Sequence, residues 1–531
     1  MNASRAERLA AAILVMGALA VVLAVSPYRL FELDRFFLPK EAVLHLTAVL
    51  VTLLVLPGRR EWAWTRADPF LLGFLGLSLG SALLAANGWY ALRAVGITWS
   101  GLLLYWSARE LARAGLARVI VLGLSAAAVV GVLTALGQAY GVVDSELLSL
   151  SRAPGGTFGN RNFVAHLGAI ALPTLVAAAL TARRPAGYLL AVLATAVTTA
   201  LLVLTRSRAA WLATLAAGSV FALLAFLPGG LWRDAVVRRR LRGPLLAALL
   251  GVGLALALPN ALDWRSDSPY FDTLRGLANY QEGSGRGRIV QWRNSLALVA
   301  ADPILGVGPG NWAVEYPAVA PPNDPSLASD GTTANPWPSS DWVALLAERG
   351  IPAFLLITAA GLLLAWGAAR RWWAGPRTVE DLPAVVLVAT IVATAVVGAF
   401  DAVLLLPVPA LFFWSLVGAL TLPEAFPSRH PAAWRAKAVL LVVVALAGTG
   451  LTVRSVRQVE AMAVISIWGR VDTRVAAARL DPGSYRIQLL VANSLRRRGR
   501  CRDAVEFAQQ AAALLPEATE PRAILRSCGV R

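Results

Sequence analysis

Four arginines, Arg161, Arg206, Arg208 and Arg288, punctuate a largely apolar chain at positions where guanidinium chemistry could be gathered. Arg206 and Arg208 stand in LTRSRAAW and interrupt residues 188–227, which are otherwise apolar. Snorkelling of both side chains to lipid headgroups is the plain reading. The functional reading is a planar fork aimed at the phosphate oxygens of an anionic ligand at the membrane surface. Arg161 lies in SRAPGGTFGNRNFVAHLGAIALP, where Gly155, Gly156, Gly159, Asn160 and Asn162 make a turn whose backbone amides can face a ligand. A structural turn accounts for the glycines. It does not account for Arg161 and His166 so near the start of a span, where ionisable groups are costly and usually functional.

Arg288 belongs to the one long polar stretch, residues 283–352. Ile289, Trp292, Leu296 and Val299 recur there at helical steps, predicting an amphipathic helix against the membrane surface with Arg288 one turn before Trp292. GVGPG at 306–310 has no preceding strand and reads as a turn rather than a dinucleotide loop. Residues 321–338 read as irregular. Asp341 opens a further helix that passes Glu348 and Gly350 into the next span. Asp401, between two apolar runs, is a turn-capping carboxylate or a partner for an outer arginine.

With 57% hydrophobic and 15% charged residues and a mean hydropathy of +0.62, the chain is an all-α polytopic membrane protein. About thirteen apolar runs are long enough to span, near residues 9–27, 42–56, 69–86, 93–108, 116–137, 163–182, 187–204, 209–227, 244–259, 351–369, 383–402, 404–421 and 438–453. The net charge of +18 does not imply nucleic acid, because the arginines concentrate in alternate loops. That bias predicts a cytoplasmic N-terminus, with the loop 260–342 between the ninth and tenth spans and the C-terminal tail outside. The first span reads as an uncleaved helix, since no small-residue cleavage site follows it. YRLFELDRFFLPK, after it, reads as an interfacial anchor, and His45 as a packing residue. LWRDAVVRRRLRG reads as a topology determinant that contacts anionic headgroups.

The chain divides into a membrane domain, 1–453, and a helical tail, 454–531. Pro482 and Pro516 are 34 residues apart, the period of tetratricopeptide repeats, so the tail is expected to pack helix pairs and offer a surface to a protein partner. Cys501 and Cys528 begin and end helices that stacking would bring together, and an outside location permits a disulfide between them.

Read in order, TFGNRNFVAHL, TRSRAAWL, SGRGRIVQWRNSLALVAADPILGVGPGNW and SSDWVALLAERGIPA resemble the O-antigen ligase and polymerase superfamily of bacterial envelope glycan enzymes. The resemblance covers roughly residues 1–425 and is most specific at 288–308 and 341–352. It implies an inverting glycosyltransferase in the bacterial inner membrane. Such an enzyme moves a glycan from undecaprenyl diphosphate to a saccharide or lipid acceptor at the periplasmic face. The family's diphosphate-binding arginines map to Arg206 or Arg208 and to Arg288, and Arg161, inside the first outer motif, is a further candidate. Neither metal nor cofactor is expected, since the sequence has no acidic cluster of the kind that holds Mg²⁺. One departure matters. The family's ligases carry a His-Asn pair, the His a candidate base, where this chain has Ser339 and Ser340, and serine is too weak a base at neutral pH. Asp341, Glu348 or His166 then takes the proton, or the good leaving group leaves little need for a base; Asn160 is a further polar candidate. Otherwise the chain is a non-catalytic scaffold for envelope polysaccharide assembly. A protein acceptor is a near alternative. A transporter would want ionisable residues near the midplane of its spans, and here they gather at one face.

Overall fold

The computed structural model describes residues 3–59, 61–143, 148–226, 230–264, 266–276, 283–421, 429–431 and 433–530. The first helix, α1 (Arg5–Leu23), starts on a capping box in which Ser4 and Glu7 satisfy each other's backbone amides. The elements α2 (Asp34–Val55), β1 (Glu61–Ala63), α3 (Asp68–Leu83), α4 (Gly88–Leu111) and α5 (Ala117–Ala139) follow. Next come β2 (Ser149–Arg152), β3 (Gly159–Asn160), α6 (Arg161–Leu180), α7 (Pro185–Thr205), α8 (Arg208–Phe226) and α9 (Ala235–Ala257). The long connection to the next span carries α10 (Pro269–Arg275), α11 (Gly283–Ala301) and α12 (Trp312–Val319). Then come α13 (Asp341–Ala374), α14 (Leu382–Phe400), α15 (Pro407–Leu420), β4 (Arg429–Pro431) and α16 (Trp434–Ile467), followed by the tail helices α17 (Val471–Leu480), α18 (Tyr485–Arg497), α19 (Cys501–Leu514) and α20 (Thr519–Ser527).

The fold is therefore the expected all-α polytopic one. Ten helical segments among the described residues are long and apolar enough to cross a membrane; one of them, Gly88–Ala139, contains both α4 and α5, and α3 and α15 are shorter apolar helices. The chain reverses between α4 and α5 around Gly115, whose φ of 87° breaks the helix.

Loop contacts sort the helix ends onto two faces. On one face Arg59 pairs with Glu7 of α1, β1 pairs antiparallel with β4, Arg118 caps Thr181 and Trp372 Nε1 donates to the Leu224 carbonyl. On the other, Ala261 N donates to the Ala139 carbonyl, Asn87 N to Asn311 Oδ1, and Asn87 Nδ2 to the Leu514 carbonyl of the tail. The long connection and the tail thus share a face. In lipid, helix association rests on close packing rather than on expulsion of water. Accordingly α4 meets α15 at glycine: a Cβ on Gly418 would lie 2.2 Å from the Tyr105 carbonyl.

Two expectations change. The segment read as an interfacial anchor is mostly the start of α2, with Arg35, Lys40 and Glu41 buried inside the frame. Lys40 Nζ holds the carbonyls of Ala24 and Thr157, and Glu41 pairs with Arg93 at 2.6 Å. Unmet backbone carbonyls and a facing cation supply the partners that let those charges be buried. And α16 crosses residue 454 without a break, so the tail grows from a continuous helix. The span at 351–369 continues, as expected, the helix that Asp341 opens, with a bend at Gly350. His45 is satisfied, its Nδ1 2.8 Å from Ser100 Oγ.

In the tail, the ends of α17 and α19 and the starts of α18 and α20 are each offset by 34 residues, so the proline period corresponds to stacked helix pairs. Cys501 and Cys528 are disulfide-bonded, with Cα atoms 5.3 Å apart. The tail packs with Phe31 and Leu38 of the first two helices' junction, and Arg486 reaches Glu32 at 3.5 Å.

Candidate functional site

The glycine-rich run and the start of α13, the most specific part of the resemblance, fold into a clasp. Val307 N donates to the Ala347 carbonyl, Gly308 N to the Glu348 carbonyl and Ile351 N to the Pro303 carbonyl. The clasp closes because Gly350 takes φ 77°, where a Cβ would sit 2.2 Å from the Ile304 carbonyl. Glu348 lies inside it, 1% exposed, accepting from Gly310 N at 2.8 Å and Trp312 N at 3.3 Å, which caps α12. Arg349 is also buried and donates to Ser78 and Thr98 of the frame. The GVGPG segment is thus the turn the sequence predicts.

Asp341 is equally enclosed. Its two oxygens accept from Val403 N and Leu404 N, each at 2.9 Å, and it is 1% exposed. Ser340 caps α13 through Val343 N and also donates to the Gly398 carbonyl. Ser339 N donates to Gln291 Oε1 of α11 at 2.7 Å. Together, Ser339, Ser340 and Asp341 fix the turn after α14 against α11 and α13.

That turn begins with Asp401. Asn162 and His166, one helical turn apart near the start of α6, both face it: Asn162 Nδ2 donates to Asp401 Oδ2 at 3.2 Å, and His166 Nε2 lies 3.9 Å from the same oxygen. His166 is 1% exposed and neither ring nitrogen has a hydrogen-bond partner. The Asp401 side chain retains 14% exposure. Arg288 lies near enough for its charge to act on His166. On α11 the half-buried or buried side carries Arg288, Gln291, Trp292 and Ser295, while Ile289 and Leu296 face outward. Trp292 lies 6.4 Å from the Phe400 ring, and its Nε1 is buried without a partner. Trp337 of the long connection packs edge-on against Phe37 and Phe163, beside His166.

A second group lies over the same end of α6. The guanidinium groups of Arg161 and Arg206 both stack on Trp264, 5.0 and 4.8 Å from the ring centre. Asn160 caps α6 by accepting from Asn162 N, and the helix N-terminus adds its own partial positive charge. Arg206 closes α7 at φ 53° and donates from Nε to Thr273 Oγ1 at 2.8 Å; Arg208 donates to the Gly276 carbonyl. The two arginines therefore pin α10 over the turn. Burial lowers Arg206 from the ordinary arginine value, with Asp272 and Tyr270 opposing. Trp264 Nε1 and Tyr270 Oη are buried donors without partners.

The structure therefore brings Arg161, Arg206, Asn160 and His166 to one end of α6, with Arg288 acting on it from α11, and sets Asp341 and Glu348 into supporting roles. Three contributors escaped the sequence reading. Trp264 is a lone aromatic in a polar loop and carries no periodic signal. Trp292 reads only as part of its helix's amphipathic face, and Trp337 falls in the stretch that reads as irregular.

A carboxyl beside an imidazole and a cluster of guanidinium groups thus lie at one end of the helices of a polytopic protein. Residues 189–358 match the family model described as O-antigen ligase. The match covers about a third of the chain and supports the O-antigen ligase and polymerase superfamily. It contains Arg206, Arg208, Arg288, Asp341 and Glu348, and stops short of His166 on one side and Asp401 on the other. No curated protein matches the chain. The family implies an envelope glycan transferase of the ligase or polymerase type.

Proposed function

We propose that this chain transfers a glycan from undecaprenyl diphosphate to a hydroxyl of a saccharide or lipid acceptor, at the face that carries the tail. The observation that carries the reading is the convergence of Arg161 and Arg206 on Trp264, at the N-terminus of the helix that also carries His166. A diphosphate leaving group gains negative charge as the glycosidic bond breaks. Fixed guanidinium groups and a helix N-terminus stabilise that charge without reorganising. The surface level of these groups suits a donor whose lipid lies in the bilayer and whose phosphates lie at its edge. The arginines of the opposite face support a cytoplasmic N-terminus and an outward tail. Direct attack of the acceptor on the anomeric carbon makes the transfer inverting. The Arg-rich site supplies the charge that a metal would otherwise provide.

The test is transfer from undecaprenyl-diphosphate-linked glycan by the full chain in proteoliposomes, compared with Arg206→Ala and Arg288→Ala. Removing one such donor to a developing charge is expected to lower kcat about 10²–10³-fold, with insertion and thermal stability retained. An intact chain that leaves every donor and acceptor pair unchanged, while its removal still alters the envelope, would instead establish the scaffold reading. That second reading is favoured by one observation, the structural employment of Ser339 and Ser340 where the family has a candidate base.

A further inference from the structure

We infer that Asp401 is the group that takes the acceptor's proton, with His166 and Asn162 as its positioning residues; this rests on the transfer reading above. Asp341, Glu348 and Asp401 lie on α13 and the turn after α14, and geometry separates them. Asp341 and Glu348 are each 1% exposed and each spends both oxygens on backbone amides. Both carboxyls are enclosed, so neither meets an acceptor at the surface. Asp401 accepts from Ala402 N at 2.9 Å on one oxygen and from Asn162 on the other, and still reaches the surface.

The placement of Asp401 argues against a purely structural part. It is the C-terminal cap of α14, where the helix carries partial negative charge and a carboxyl is disfavoured. Two polar side chains from another helix are nevertheless directed at it. Asn162 fixes one oxygen by a hydrogen bond, and His166, buried with both ring nitrogens unpartnered, stands 3.9 Å behind the same oxygen. An imidazole in that position becomes hydrogen-bonded to the carboxyl after a shift of less than 1 Å. It can then hold the proton that Asp401 collects. The backbone just beyond Asp401 is held by Asp341 through Val403 and Leu404, so the family's acidic residue acts here at one remove, by fixing the turn that presents Asp401.

The step balances without a further reactant. The acceptor oxygen forms a bond to the anomeric carbon as the bond from that carbon to the diphosphate oxygen breaks. The electron pair leaves with the diphosphate, whose charge the arginines face, and the acceptor's proton passes to an Asp401 oxygen and on to solvent.

The experiment uses the full chain in proteoliposomes with undecaprenyl-diphosphate-linked glycan and a hydroxyl acceptor. Asp401→Asn is expected to lower kcat by about 10²–10⁴-fold, the usual worth of a general base, with KM for the donor and thermal stability close to those of the intact chain. Asp401→Glu should recover part of the activity, and Asp401→Ala should recover part when formate is added. His166→Gln should lose less than Asp401→Asn and lower kcat without raising donor KM. Full activity in Asp401→Asn overturns the inference and leaves the transfer reading standing. So does a loss that neither glutamate nor formate restores. If the intact chain transfers nothing, both readings fall together.

Discussion

At the level of single residues, Asp341 and Glu348 serve the backbone rather than the surface. Asp341 receives two amides across a separation of more than sixty residues in sequence, and asparagine would present an NH₂ group to one of them. An unmet buried amide costs about 1–3 kcal/mol. Asp341→Asn is therefore expected to lose transfer together with thermal stability, whereas Asp401→Asn loses transfer alone. Melting curves of the two purified variants, run beside the kinetic assay, separate them; a stable, inactive Asp341→Asn protein would return Asp341 to the reacting centre. The arginines were legible from sequence because charge inside an apolar run is expensive enough to need a reason. The commitment of Asp341 was not, because nothing local to SSDW announces that its oxygens are taken by a turn that follows another span.

Among the elements, periodicity read the spans and the 34-residue tail repeat well, since lipid and helix stacking both impose regular burial. It read the junctions poorly. The charged start of α2 looks interfacial in sequence, yet Lys40 and Glu41 find carbonyl and guanidinium partners inside the frame. The joint between α16 and α17 shows the same principle with an imperfect match. Asp481 lies 5% exposed between them, with Gln458 Nε2 3.4 Å from both its oxygens. Burial raises it to about 6, with Arg454 opposing. Because the folded tail holds that proton more tightly than an unfolded chain does, with an ordinary value near 4, docking is strongest below about pH 4. It weakens as pH rises to about 6 and is level above it. Asp481→Asn should accordingly make the tail more protected from hydrogen exchange at pH 7 by roughly 1–3 kcal/mol and remove the dependence between pH 4 and 6. Equal protection in both proteins across that range would show that Arg454 and Gln458 already offset the burial.

Across the whole molecule, the tail and the candidate site meet through the long connection. Thr519 N and Oγ1 of the tail donate to the Asp330 carbonyl, Gly331 packs under Glu517, and Asn87 ties the Leu514 carbonyl to the frame. A few residues further along the same segment, Trp337 packs against Phe37 and Phe163 beside His166, and Ser339 is held by Gln291 of the helix that carries Arg288. The segment 321–338, irregular in sequence and low in periodic apolar residues, thus has its fixed points on the tail at one end and on the site at the other. Ending the chain after residue 468 removes the first set and leaves the second, together with all the apolar helices of the frame. The shortened protein should insert and hold its frame. Hydrogen exchange should speed up at 326–338, and glycan transfer should fall less than for Arg288→Ala, chiefly through a raised KM. Unchanged exchange across 326–338 after truncation would mean that Asp324, through its bonds to Asn294, Tyr316 and Ser326, and the contacts of Trp337 and Ser339 hold the segment without the tail, leaving the tail free to serve only a partner outside the membrane frame.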